Sequence, residues 1–140
     1  MIDQDTLLNK ASRVEAHLRR ITQKREISEQ EFLQDTDRQD ILLFNIQMAI
    51  QNCIDIAAHI VSDQGLGVPG STNDIFYILE DNGYISTELT EKMVSAVGFR
   101  NLIVHEYGKL DLQLVYHIAN KDIHDLKQFL QTILTRLNLI

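Results

Sequence analysis

The side chains best suited to chemistry fall in one short run, Arg100-Asn101-Leu102-Ile103-Val104-His105-Glu106-Tyr107. Arginine is a permanent cation whose planar fork matches phosphate oxygens. Histidine accepts or donates a proton near neutral pH. Together they can activate a ribose 2′-hydroxyl and stabilise an anionic transition state without a metal. Placed on a helix, successive residues turn by about 100°. With Arg100 at zero, Asn101 falls at about 100°, His105 at about 140° and Tyr107 at about −20°. The four therefore share one broad face, with Asn101 and His105 an i, i+4 pair. Asn101 can hydrogen-bond to the imidazole or to a substrate. Leu102 and Ile103 are expected to hold the helix in the core. By type and spacing alone the run also fits an ordinary helix face, with Tyr107 an amphipathic cap over the core.

A second candidate stripe lies upstream. Asn45, Met48, Asn52, Asp55, His59 and Ser62 recur at steps of three and four, so they line one face of a helix. All but Met48 are polar, and they are short side chains where a solvated face usually carries lysine and glutamate. Two readings stand side by side: polar groups bonded to a neighbouring helix, or the lining of a polar groove. In a groove, Asp55 would orient a cation on the facing helix.

The elements that must position these residues read as helices. One runs from about Asp3 to Lys24, with Leu7, Leu8, Ala11, Val14, Leu18 and Ile21 at helical spacing. Ser28-Glu29-Gln30-Glu31 matches a capping box. A long helix covers roughly Thr36 to Val61, with Leu42, Ile46, Ala49, Cys53, Ile56 and Ile60 as its buried seam. The run Ser62 to Thr72 holds three glycines and Pro69, and reads as a loop. Further helices are expected from Ser71 or Thr72 to Asn82-Gly83, from after Ser86 to Gly108 as a natural C′ residue, and from about Asp111 to Leu137. No segment alternates with period two. The expectation is an all-α, up-and-down bundle of four to five helices in a single domain over 1–140.

The 140-residue length and the 44% apolar share suffice for one core without disulfides or metals. Cys53 is the sole cysteine and no Cys/His set has zinc-ligand spacing. Neither a signal-peptide pattern at the acidic start nor an apolar run of membrane-spanning length is evident, so a reducing cytoplasm and no membrane are expected. A net charge of −7, taken alone, argues against broad non-specific affinity for nucleic acid. Any RNA chemistry needs a local basic site in an acidic body. His17 and His124 look solvated, and His117 has no obvious partner.

The string GFRNLIVHEY resembles the signature of HepT-like proteins, a branch of the HEPN superfamily. In that signature an arginine is followed after four residues by histidine, then one residue and tyrosine; Arg100, His105 and Tyr107 fill it. The likeness extends over about Arg38 to Lys127, through RQDILLFNIQMAIQNCIDIAAHIVSD and DIFYILEDNGYI. The resemblance implies an HEPN-like fold and a metal-independent endoribonuclease toxin with Arg100 and His105 as the catalytic pair, leaving a cyclic phosphate end. It implies a homodimer with two motifs across one cleft, and no cofactor. It also implies an MntA-like nucleotidyltransferase antitoxin that transfers AMP to Tyr107, setting negative phosphates beside Arg100 and His105. Asn101, Asp55 and His59 would support the cleft. The alternative is a non-catalytic helical dimer that binds a nucleotidyltransferase partner or a nucleotide.

Overall fold

In a computed structural model the described residues are 3–140, so Met1 and Ile2 of the acidic start lie outside them. The segments are α1 (Gln4–Lys24), α2 (Glu29–Phe32), α3 (Thr36–Asp63), α4 (Thr72–Asp81), α5 (Thr87–Glu106), α6 (Leu112–His117) and α7 (Ile123–Arg136). A 3-10 turn at Tyr107–Lys109 follows α5, and a π turn at Ile118–Asp122 joins α6 to α7. Among the described residues there is no strand.

Short polar residues start these helices by accepting otherwise orphaned N–H groups. Asp3, Ser28, Asp35, Ser71, Ser86 and Asp111 each accept a backbone N–H two or three residues on. At Ser28 the box closes differently from the usual reciprocal form. The hydroxyl accepts from the Glu31 N–H and donates to the Glu31 carboxylate, both at 3.1 Å.

The long helix α3 is the hub, packing against α1, α2, α4, α5 and α7. Its seam of Leu42, Ile46, Ala49, Cys53, Ile56 and Ile60 is buried. Burial pushes the Cys53 thiol up to about 12, so it stays neutral and inert. A helix surrounded on most sides must be apolar all round. That corrects one expectation: an 18-residue window of α3 reaches a mean hydropathy of 1.4, enough by length and composition to cross a membrane, although 61% of it is buried within the bundle.

Three local expectations also change. The stretch from Asp111 to Leu137 is not one continuous helix, because the π turn re-registers it. Arg25 on the end of α1 donates to the Ala119 carbonyl within that turn, at 3.2 Å. Gly108 is not a left-handed C′ residue; the positive-φ glycines are Gly65, Gly67 and Gly83. Instead α5 breaks at Glu106 (φ −137°, ψ 36°) and runs into the 3-10 turn. Leu102 is 41% exposed, leaving Ile103 with Val97 and Phe99 to anchor the end of α5.

Candidate functional site

Helices α5 and α3 run antiparallel along the motif, as two cross-links show. Arg100 Nη1 donates to Gln51 Oε1 at 2.9 Å, and the Tyr107 hydroxyl donates to Asp40 Oδ1. The same face of α3 carries Asp40, Phe44, Gln51 and Asp55, which lie within about 60° of one another on the helix. This face, rather than the stripe beginning at Asn45, meets the motif.

Arg100 is half-buried, and its Nε is buried with no hydrogen-bond partner among the described residues. Its acceptor is neutral. A carboxylate stands one link further on: Gln51 Nε2 donates to Asp55 Oδ1 at 2.9 Å, and Asp55 Oδ2 lies 3.6 Å from Lys10 Nζ of α1. Asp55 is therefore occupied by Gln51 and Lys10, and Arg100 keeps its positive charge while its position is fixed. A neutral brace of this kind suits a guanidinium that must still attract phosphate. Replacing Gln51 by Glu would keep the shape but place a carboxylate on the guanidinium. Phosphate-dependent activity of Gln51→Glu is expected to fall on the order of tenfold, about the weight of one charge-assisted hydrogen bond. RNA-cleavage rates of Gln51→Glu beside Gln51→Leu check this; equal rates for Gln51→Glu and the parent would remove the argument.

His105 is exposed on the last turn of α5, and Asn101 is exposed one turn before it. No hydrogen bond joins either to Arg100 or to the other among the described residues. The arc that sequence placed on one face is thus divided: Arg100 turns to α3, while His105 and Asn101 face outward. Phe44 and Val104, on the Arg100 side, are 57% and 50% exposed, and Leu102, on the opposite side of α5, is 41% exposed.

Tyr107 sits past the helix break, yet its hydroxyl still reaches α3. Partial burial of the hydroxyl, the hydrogen bond to Asp40 and the charge of that carboxylate push the phenol from 10.0 up to about 12. Replacing Asp40 with Asn removes the charge and is expected to lower Tyr107 part of the way, the share due to burial remaining. Spectrophotometric titration against Tyr107→Phe isolates this residue among the four tyrosines. Beside the pair, an open cleft of about 550 Å³ is lined by Ala16, His17, Arg20, Asp40, Ile41, Phe44 and Asn45.

The remaining candidates fall elsewhere. Asn45 and Asn52 are buried, and each donates its amide to a carbonyl of its own helix, Ile41 and Met48, at 2.8 Å. Asn45 Oδ1 then accepts from His17 Nδ1 of α1 at 2.9 Å. Asn45 and Asn52 therefore line no groove: both bond back to α3, and Asn45 also bonds to the neighbouring α1. His17 is correspondingly only half-exposed; it also meets Phe44 edge-on, with ring centroids 6.1 Å apart. His59 lies about 12 Å along α3 from Gln51 and pairs with Asp63 at 3.0 Å, outside the Arg100 network. Asp40 and Gln51 were not singled out from sequence. The available signal was the i, i+4 recurrence of Asp40, Phe44, Gln51 and Asp55, with an aromatic left on a polar line.

The helical bundle is shared with solved toxin–antitoxin structures. A crystal structure of a toxin–antitoxin with AMP-PNP is 35% identical, covers 92% of this chain and 97% of its own, and superposes with a TM-score of 0.86. A tri-AMPylated Shewanella oneidensis HEPN toxin in complex with MNT antitoxin is also 35% identical, with coverages of 95% and 98% and a TM-score of 0.86. The model of the Ribonuclease HepT-like family matches residues 14–133, and the chain belongs to that family. The mRNA nuclease HepT of Shewanella oneidensis is 36% identical over 129 residues, spanning 92% of this chain and 96% of that protein.

Proposed function

We propose that this chain is the metal-independent endoribonuclease toxin of a HepT-type pair, with Arg100 and His105 as its reacting groups. The observation that carries the reading is Arg100 itself. Its guanidinium is half-buried, braced by a neutral amide, left with an unpartnered Nε, and set on the same helix end as an exposed histidine.

In the reaction, His105 takes the proton from the 2′-hydroxyl next to the scissile phosphate. The 2′-oxygen bonds to phosphorus, the bond to the 5′-oxygen breaks, and that oxygen takes a proton from water, while the protonated His105 returns its own to solvent. The product carries a 2′,3′-cyclic phosphate. Arg100 holds the non-bridging oxygens, whose charge rises in the transition state. Asn101, one turn from His105 on its exposed face, positions the imidazole or the ribose. Asp55 supports Arg100 through Gln51.

Phe44 and Val104 form an apolar rim on the Arg100 side of the motif that one copy leaves open to water. A homodimer closing on this rim brings a second Arg100 and a second His105 to the same cleft. It also concentrates positive charge locally in a protein of net charge −7. The nucleotidyltransferase antitoxin, an MntA-like enzyme, silences the site by adding AMP groups to Tyr107, whose phosphates then compete with RNA for Arg100. The pair works in the cytoplasm.

The test is cleavage of RNA by the purified, unmodified protein in excess EDTA, with product ends identified by mass. Cleavage leaving cyclic phosphate ends is expected. RNA untouched across several pools, with unmodified Tyr107 verified, would move the assignment to a non-catalytic dimer that binds a nucleotidyltransferase.

A further inference from the structure

Tyr107 reaches across the bundle to a carboxylate that the ribonuclease chemistry does not use. We propose that Asp40 orients the Tyr107 hydroxyl and accepts its proton when the antitoxin transfers an adenylyl group to it. This rests on the reading of Tyr107 as the modified residue.

The geometry supplies both functions. The Tyr107 O–H points at Asp40 Oδ1, so one lone pair of the phenol oxygen already faces away from α3. Among the described residues no cation pairs with Asp40; the ion pairs of neighbouring carboxylates go to Asp35, Asp55 and Asp63. Its hydrogen-bonding partner is therefore the phenol. Asp40 is exposed, and lies on the lining of the cleft that also holds Arg20 and Phe44. A nucleoside triphosphate presented by a partner enzyme can approach Tyr107 from that open side. Arg20 then meets phosphate charge.

The chemistry requires a base at this position. A phenol held at about 12 is neutral under ordinary conditions and is a weak nucleophile until its proton leaves. In the transfer, the Tyr107 oxygen bonds to the α-phosphorus of the triphosphate. The bond from that phosphorus to the β-phosphate bridging oxygen breaks, and pyrophosphate departs with the electron pair. The phenol proton passes to Asp40, which then returns it to solvent.

Asp40→Asn separates this role from a merely structural one. The amide oxygen still accepts the tyrosine hydrogen bond, but cannot take the proton. Unmodified chain is incubated with ATP and its co-expressed antitoxin, and adenylyl transfer is followed by intact mass. Asp40→Asn is expected to slow transfer on the order of a hundredfold, within the range of general-base catalysis. Asp40→Glu should recover part of the rate, with antitoxin affinity and unfolding temperature held near those of the parent in both variants. Full-rate transfer to Asp40→Asn overturns the inference while leaving Tyr107 as the target. Equal impairment of Asp40→Asn and Asp40→Glu overturns it as well, reducing Asp40 to a prop. Transfer to Tyr107→Phe, or none to the parent chain, overturns the underlying reading together with the inference.

Discussion

Replacing His105 with Ala is expected to abolish RNA cleavage in EDTA, by on the order of 10²- to 10⁴-fold, while leaving the fold and the antitoxin complex intact. Both halves of that expectation come from the side chain's surroundings. His105 is exposed and makes no hydrogen bond among the described residues, so its loss opens no cavity and orphans no buried group. The helix end it occupies is anchored instead by Ile103 and Phe99, buried at 2% and 7% exposure. An exposed histidine without a structural partner is free to serve a substrate proton. Rates on a defined RNA, together with antitoxin affinity for parent and variant, decide the matter. Cleavage unchanged by His105→Ala would sink the acid–base assignment. Weakened antitoxin binding, with no cleavage in the parent to lose, would favour the binding-module reading.

The helices were largely readable because their limits are written in local chemistry. Asp and Ser caps start α1, α3, α4 and α5 where the periodic segments begin, and Gly83 ends α4 at a positive φ of 77°. The π turn at Ile118–Asp122 was not readable. The apolar spacing across Tyr116, Ile118, Ala119 and Ile123 fits a continuous helix, and the extra residue is absorbed by a long-range bond from Arg25 to Ala119. Such a bond depends on how α1 meets the last helix, which no local pattern encodes.

The site divides along the same line. The Arg-x4-His-x-Tyr spacing marks the reacting end of α5 from sequence alone. Its partners on α3 depend on the register between two helices 49 residues apart in sequence for Arg100–Gln51 and 67 for Tyr107–Asp40. Asn45 and Asn52 misled for a related reason. Short amides on a helix look like groove chemistry, but here each folds back onto a carbonyl of its own helix and is buried. Leu102 looked like core because it neighbours Ile103; the two differ by about 100° around the helix, and only Ile103 turns into the bundle.

The other large effect falls on Arg100, where charge and shape can be separated. Arg100→Ala is expected to lower cleavage by on the order of 10²- to 10³-fold, as removal of an anion-stabilising donor does. Arg100→Lys keeps the charge but should rescue little. The guanidinium is held through Nη1 on Gln51, which leaves the remaining terminal donors directed by a rigid plane. An ammonium that satisfies Gln51 has no second, fixed donor to offer a phosphate oxygen. The split is visible in kinetics and binding together. Arg100→Lys should retain most of the RNA affinity, since backbone neutralisation depends on charge, and lose most of the turnover. Arg100→Ala should lose both. Near-parental turnover in Arg100→Lys would mean that Arg100 acts only as a point charge. The Gln51 brace would then have no catalytic consequence, and Gln51→Leu should cleave RNA at the parental rate in the same assay.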